Sequence, residues 1–245
     1  MVFTASEQSR LPRDFALLRR YTKEATQHLL GNTIALTDDQ WQELSLAPGW
    51  TRAHLATHVS MNAEAFARVI TSLLAGTSDV MYSSRKDRLS RIERGSERDG
   101  LALQIQLDAS ADQFTAALDT AEERLDPATV IQVTPNNSIR FDMVPLARLN
   151  EVLLHHVDLN VGFKIEEIDD TLARFLLEWN VYLLSKTVGY PRIELRSDSG
   201  FTAQFGSNGT PLPVTGSDRL LLGWVTGRIE SRHFDASLPW LPVSN

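Results

Sequence analysis

The chain has 245 residues, 42% of them hydrophobic, with a net charge of −7 and a pI near 5.4. That length and apolar content exclude a disordered or fibrous protein and supply a core for one large domain or two modest ones; the negative balance argues against a phosphate backbone, so no nucleic-acid partner is expected. Cysteine is absent, which excludes disulfides, thiolate metal sites and any reaction in which the protein itself supplies a sulfur nucleophile.

No window approaches the roughly 18 uninterrupted apolar residues of a membrane span, and the opening MVFTASEQSRLPRDF lacks the basic-then-apolar run of a signal peptide. A soluble cytoplasmic protein with no membrane partner is expected. From Arg13 to Leu30, Phe15, Leu17, Leu18, Tyr21, Ala25 and Leu29 recur at helical spacing, and Gly31-Asn32 reads as the stop. A short helical turn is expected within TDDQWQELS. Pro48-Gly49 then breaks the chain and Thr51 caps a second helix through Leu55, Val59, Phe66, Ile70 and Leu73 to Gly76. The basic stretch 81–98 leads into a third helical pattern over Leu101 to Leu125, closed by Asp126-Pro127. TVIQV and SIRFDMV, flanking TPNN, read as a hairpin. Pro145 opens a fourth long helix that runs to Gly162.

Beyond KIEEIDD the texture changes to one helix (Leu172 to Val188), three short strands (RIELRSD, FTAQFG, PLPVTG) and a closing helix in SDRLLLGWVTGR. The expected fold class is α+β: a four-helix bundle over 1–167, followed by a small α/β domain over 168–245.

The residues that can carry chemistry lie on two of the bundle helices. In RLNEVLLHHVDLNVGF, at about 100° per residue, Arg148, Glu151, His155 and Asp158 form one narrow polar stripe, while apolar residues fill most of the remaining circumference. A helix that apolar is mostly buried, and a buried Glu and His are costly unless paired or bound to a metal. On the second helix His58, with Asn62, borders the apolar stripe, while His54 is displaced toward the polar face. His58, Glu151 and His155 together offer the donor count of a catalytic Zn²⁺ site with an open fourth position.

The same residues have plainer readings. Glu151 and His155 can be an intrahelical pair, His58 a core histidine bonded to a carbonyl, and Asp158 either an orienting partner of His155 or a helix-end acid. His156 turns to the apolar side and reads as structural; His28 and His233 have no partner in the sequence. The basic run 85–98 is either a solvated face or the lining of an anion pocket. Arg228, after an apolar helix, either meets the helix dipole or reaches a substrate carboxylate.

LAPGWTRAHLATHVSMNAEAFARVI, MYSSRKDRLSRI, ARLNEVLLHHVDLNVGF and LLLGWVTGR together resemble the mycothiol-dependent maleylpyruvate isomerase family, a DinB-like metal-binding four-helix bundle with a small C-terminal α/β domain. The resemblance spans nearly the whole chain. It implies a metal held by His58, Glu151 and His155, Zn²⁺ or another divalent ion, and a catalytic arginine at Arg228; the role of His54 stays open. It also implies mycothiol as cofactor, a small dicarboxylate as substrate, and isomerisation of maleylpyruvate to fumarylpyruvate by thiol addition, bond rotation and elimination, as in the gentisate pathway of aromatic degradation. The missing cysteine fits this chemistry, because the thiol must then come from a cofactor. Two other readings share the ligands: a metal-dependent mycothiol S-transferase, and a non-enzymatic, metal-stabilised ligand-binding module.

Overall fold

A computed structural model of the chain describes residues 14–135, 137–186 and 189–234. They fall into two compact units that meet in sequence at Phe163 and Lys164. Helices and small sheets together make the α+β class expected. Among the described residues no helix is long and apolar enough to cross a membrane.

The N-terminal unit is built on four long helices. The first, α1, spans Phe15–Thr33 behind an Asp14 cap; the expected start at Arg13 lies outside the described residues. It does not stop at Gly31-Asn32. Thr33 is buried and its hydroxyl donates to the Leu29 carbonyl, and Asn32 sits in the last turn with its side chain turned to His156, so packing carries the helix past its weak residues. After a single turn, α2 (Asp38–Gln42), comes α3, Arg52–Leu74, capped by Thr51 as expected. The stretch 81–98, read as a lead into the next helix, holds a helix of its own: α4, Arg85–Ser96, with Ser84 as cap. Asp99 then starts α5 afresh at Gly100–Glu122. The hairpin pairs β1 (Val130–Thr134) with β2 (Asn137–Arg140), but FDM leaves the strand as a 3-10 turn, Phe141–Met143. The last bundle helix, α6, is Val144–Asp158 with Pro145 in its first turn.

Within the bundle α1 packs on α6 and α3 on α5, while α3 and α6 also touch; α4 lies against α3. Both α3 and α6 are buried around almost their whole circumference, which is why their polar residues must find partners inside the protein.

The second unit holds α7 (Asp170–Ser185), which starts two residues before the expected Leu172; Val188, its expected end, lies outside the described residues. A three-stranded sheet follows in the order β4-β3-β5. Its central strand β3, Pro191–Ser197, runs antiparallel to β4 (Thr202–Phe205) and parallel to β5 (Asn208–Gly216). Ile193 and Leu195 are buried at its centre, and α8, Asp218–Val225, packs on α7.

Candidate metal centre

The polar stripe read from the sequence of α6 is present and faces α3. Glu151, one turn before His155, reaches across to His58: its Oε2 lies 3.1 Å from His58 Nε2 and 3.6 Å from His155 Nε2. The two imidazoles meet edge to face with centroids 4.8 Å apart. One donor atom from each of the three residues falls within 4.8 Å of the others, so nitrogen and oxygen donors from two facing helices converge on one point. His58 and His155 are buried and Glu151 is half-buried.

Several contacts fix these side chains. His155 Nδ1 is 2.9 Å from Asp158 Oδ2, in the last turn of α6. With the proton placed on Nδ1, His155 presents Nε2 to the cluster, the arrangement that orients metal-binding histidines. Arg148, the first residue of the stripe, donates through Nη1 to the Val59 carbonyl and to Asn62 Oδ1, tying α6 to α3 one turn from the cluster. Arg52 joins the other ends, donating to the Leu159 and Asn160 carbonyls beyond α6 and to Glu43.

The electrostatics match the geometry. Burial, reinforced by the neighbouring His155 and Arg88 charges, pushes His58 down to about 4, so its imidazole is neutral and has a lone pair to offer. Burial opposes ionisation of Glu151, but the neighbouring His155 and His58 rings outweigh it and hold the carboxyl well below its ordinary range. Burial likewise opposes a charge on His155, but Asp158 and Glu151 raise it on balance. Two imidazoles and one carboxylate suit Zn²⁺ and similar borderline divalent ions, and three protein donors leave a position open for an exogenous ligand. The residues therefore fit the group they are asked to hold.

The other sequence candidates fall elsewhere. His54 is outside the cluster: its Nδ1 pairs with Thr51 in a capping box and its Nε2 faces Glu93 and Ser96, both at 3.2 Å. His156 is fully buried, contacts Asn32 at 3.1 Å and stacks on Phe163; burial pushes it down to about 4. His28 packs edge-on against both rings, and His233 is exposed. Arg228 belongs to the second unit, where Nη1 donates to the carbonyl of Thr226, the cap of α8.

One residue beside the cluster was not singled out from the sequence. Arg88, on α4, places Nη2 3.0 Å from His58 Nδ1 and 3.3 Å from Nε2. Its signal was the spacing Arg88, Ile92, Gly95, Ser96: these fall one, two turns apart on a single face, and the last three are buried. Gly95 lets that face approach α3, since a Cβ there would lie 2.3 Å from Thr57 Cγ2.

Residues 22–160 match the sequence model of a family described as the mycothiol maleylpyruvate isomerase N-terminal domain. Among solved structures, the chain is similar to the mycothiol-dependent maleylpyruvate isomerase at 22% identity and a TM-score of 0.83, and to a histidine-to-alanine mutant described by the same name at 21% and 0.84. Each comparison covers 96% of this chain and 98% of the other. At such identities the likeness speaks for the fold. None of the curated proteins matches the chain.

Proposed function

The chain belongs to the family of the mycothiol maleylpyruvate isomerase N-terminal domain, and from that premise we propose that it is a metal- and mycothiol-dependent cis-trans isomerase acting on maleylpyruvate. The observation that carries the reading is the convergence of His58, Glu151 and His155 within 4.8 Å inside the bundle, in a chain with no cysteine.

In this reading His58 Nε2, a Glu151 carboxylate oxygen and His155 Nε2 hold the ion, and Asp158 keeps the His155 proton on Nδ1. A divalent ion and mycothiol, once bound, supply what the chain lacks: a thiolate stable near neutral pH that adds reversibly to the cis double bond, so that the bond turns while single. Burial of His58 and His155 excludes water from the inner side of the cluster and keeps the donors from swinging out. Arg228 is proposed to bind a substrate carboxylate and to stabilise the negative charge that develops on the substrate during addition.

The test is turnover of maleylpyruvate to fumarylpyruvate by zinc-loaded protein with and without mycothiol, in the wild type and in Arg228→Ala. Turnover that needs mycothiol and is lost in Arg228→Ala supports the isomerase. If instead only neutral electrophiles receive mycothiol, and Arg228→Ala is indifferent, the chain is an S-transferase on the same metal site. Absence of both activities leaves a ligand-binding module.

A further inference from the structure

Four basic residues of α4, Arg85, Lys86, Arg91 and Arg94, are exposed, whereas Arg88 is half-buried and turned to the metal cluster. Its charge has no carboxylate partner among the described residues; what it touches is the His58 ring, and its guanidinium carbon lies 5.3 Å from the Tyr82 ring centroid. Its Nε is buried and donates to nothing. Tyr82, placed beside β1 by its backbone bond to the Val133 carbonyl, has a buried hydroxyl next to Arg88, which can only donate to its oxygen, so the phenol O–H has no acceptor.

Buried donors are ordinarily satisfied, so two orphaned donors side by side need an explanation. Packing does not supply one, because either residue could be replaced by an apolar one of similar size at less cost. What the pair lacks is an acceptor. A guanidinium edge presents two parallel N–H groups that match the two oxygens of a carboxylate, and the phenol adds a further donor. Charge points the same way: a guanidinium 3.3 Å from His58 Nε2 repels any cation held there, and an anion between them turns that repulsion into two attractions.

We propose that Arg88 and Tyr82 form a carboxylate receptor beside His58, which takes one carboxylate of a small dicarboxylate substrate. The inference rests on the proposed reading of the cluster as a metal-dependent reaction centre and adds to it the group that recognises the substrate. It also makes metal and anion binding cooperative, each tightening the other by the same factor.

Calorimetric titration of maleate into the zinc-loaded chain tests it, with zinc content measured on every sample. Arg88→Met is expected to weaken maleate about ten- to a hundredfold, since a charge-assisted hydrogen bond is lost. Tyr82→Phe is expected to weaken it about two- to tenfold, and Arg88→Lys, which keeps the helix and the charge, to fall between Arg88→Met and wild type. Maleate should also tighten zinc in a chelator competition, in the wild type and not in Arg88→Met. Unchanged maleate affinity in Arg88→Met with zinc retained overturns the proposal; so does loss of zinc from both Arg88 variants, which would make Arg88 a prop for His58. The two readings fail separately. Arg88-dependent maleate binding without mycothiol-dependent turnover keeps the receptor and rejects the isomerase, and turnover with Arg88-independent binding does the reverse.

Discussion

His155 and Asp158, three residues apart on α6, are joined by a 2.9 Å contact from Nδ1 to Oδ2, and this contact decides which nitrogen of His155 faces Glu151. An acid on the far side of a ligating imidazole fixes the tautomer and makes the metal-facing nitrogen a better donor. Asp158→Asn keeps the size and removes the charge. Zinc affinity, read by competition with a chelator, should fall about 10- to 100-fold, with the helix content unchanged by circular dichroism. Equal affinities would mean that Asp158 serves only the end of the helix.

Gly95 sets the distance between α4 and α3. An added Cβ would lie 2.3 Å from Thr57 Cγ2 and 2.8 Å from Arg98 Nη2; the arginine tip can move, but Thr57 is buried in α3. Gly95→Ala should cost about 1–3 kcal/mol, as overpacking does, seen as a lower urea midpoint at constant slope. Because Arg88 rides on the same helix, the variant should also bind maleate more weakly while retaining zinc.

The metal-free protein should lose stability in acid through His156. Its pKa is pushed down to about 4 from an ordinary 6.5, first by burial and then by the neighbouring His28, while Asn32 and Phe163 offer no charge to stabilise a cation. Between those values the unfolded chain binds a proton that the folded chain refuses, so stability falls as pH drops from about 6.5 to about 4. The loss attributable to this residue approaches about 3 kcal/mol at the acid end. Urea unfolding across that range, with chelator present, should give a visibly flatter profile for His156→Gln than for the wild type; parallel profiles would contradict the assignment.

Much of the site was legible because a helix repeats faithfully. Once α6 was recognised, about 100° per residue put Arg148, Glu151, His155 and Asp158 on one line, and the same geometry chose His58 over His54 on α3. Whether Glu151 and His155 pair only within α6 or also meet His58 depends on α3 lying against α6, a fact of tertiary packing. Arg88 was hidden for another reason. The basic run reads equally as a solvated face or as the lining of an anion pocket, and which of its arginines points inward follows only from the buried Ile92, Gly95 and Ser96 on the face of Arg88. The end of α1 misled because Gly31-Asn32 has poor helix propensity, and the Asn32 contact with His156 that repays it joins residues far apart in the chain. For Arg228, local sequence reaches only as far as the cap of α8, where the guanidinium meets the Thr226 carbonyl.

On the proposed reading, His58, Glu151 and His155 hold a divalent ion. This is tested most directly by elemental mass spectrometry on the purified wild type and on His58→Ala, Glu151→Ala and His155→Ala. The wild type is expected to carry about one zinc or similar divalent ion per chain, as three donors and an open position require, and each variant to lose that ion while the fold persists. A wild type that is folded, free of metal after incubation with zinc and indifferent to chelators would contradict that reading, and would reduce the stripe on α6 to a buried hydrogen-bond network.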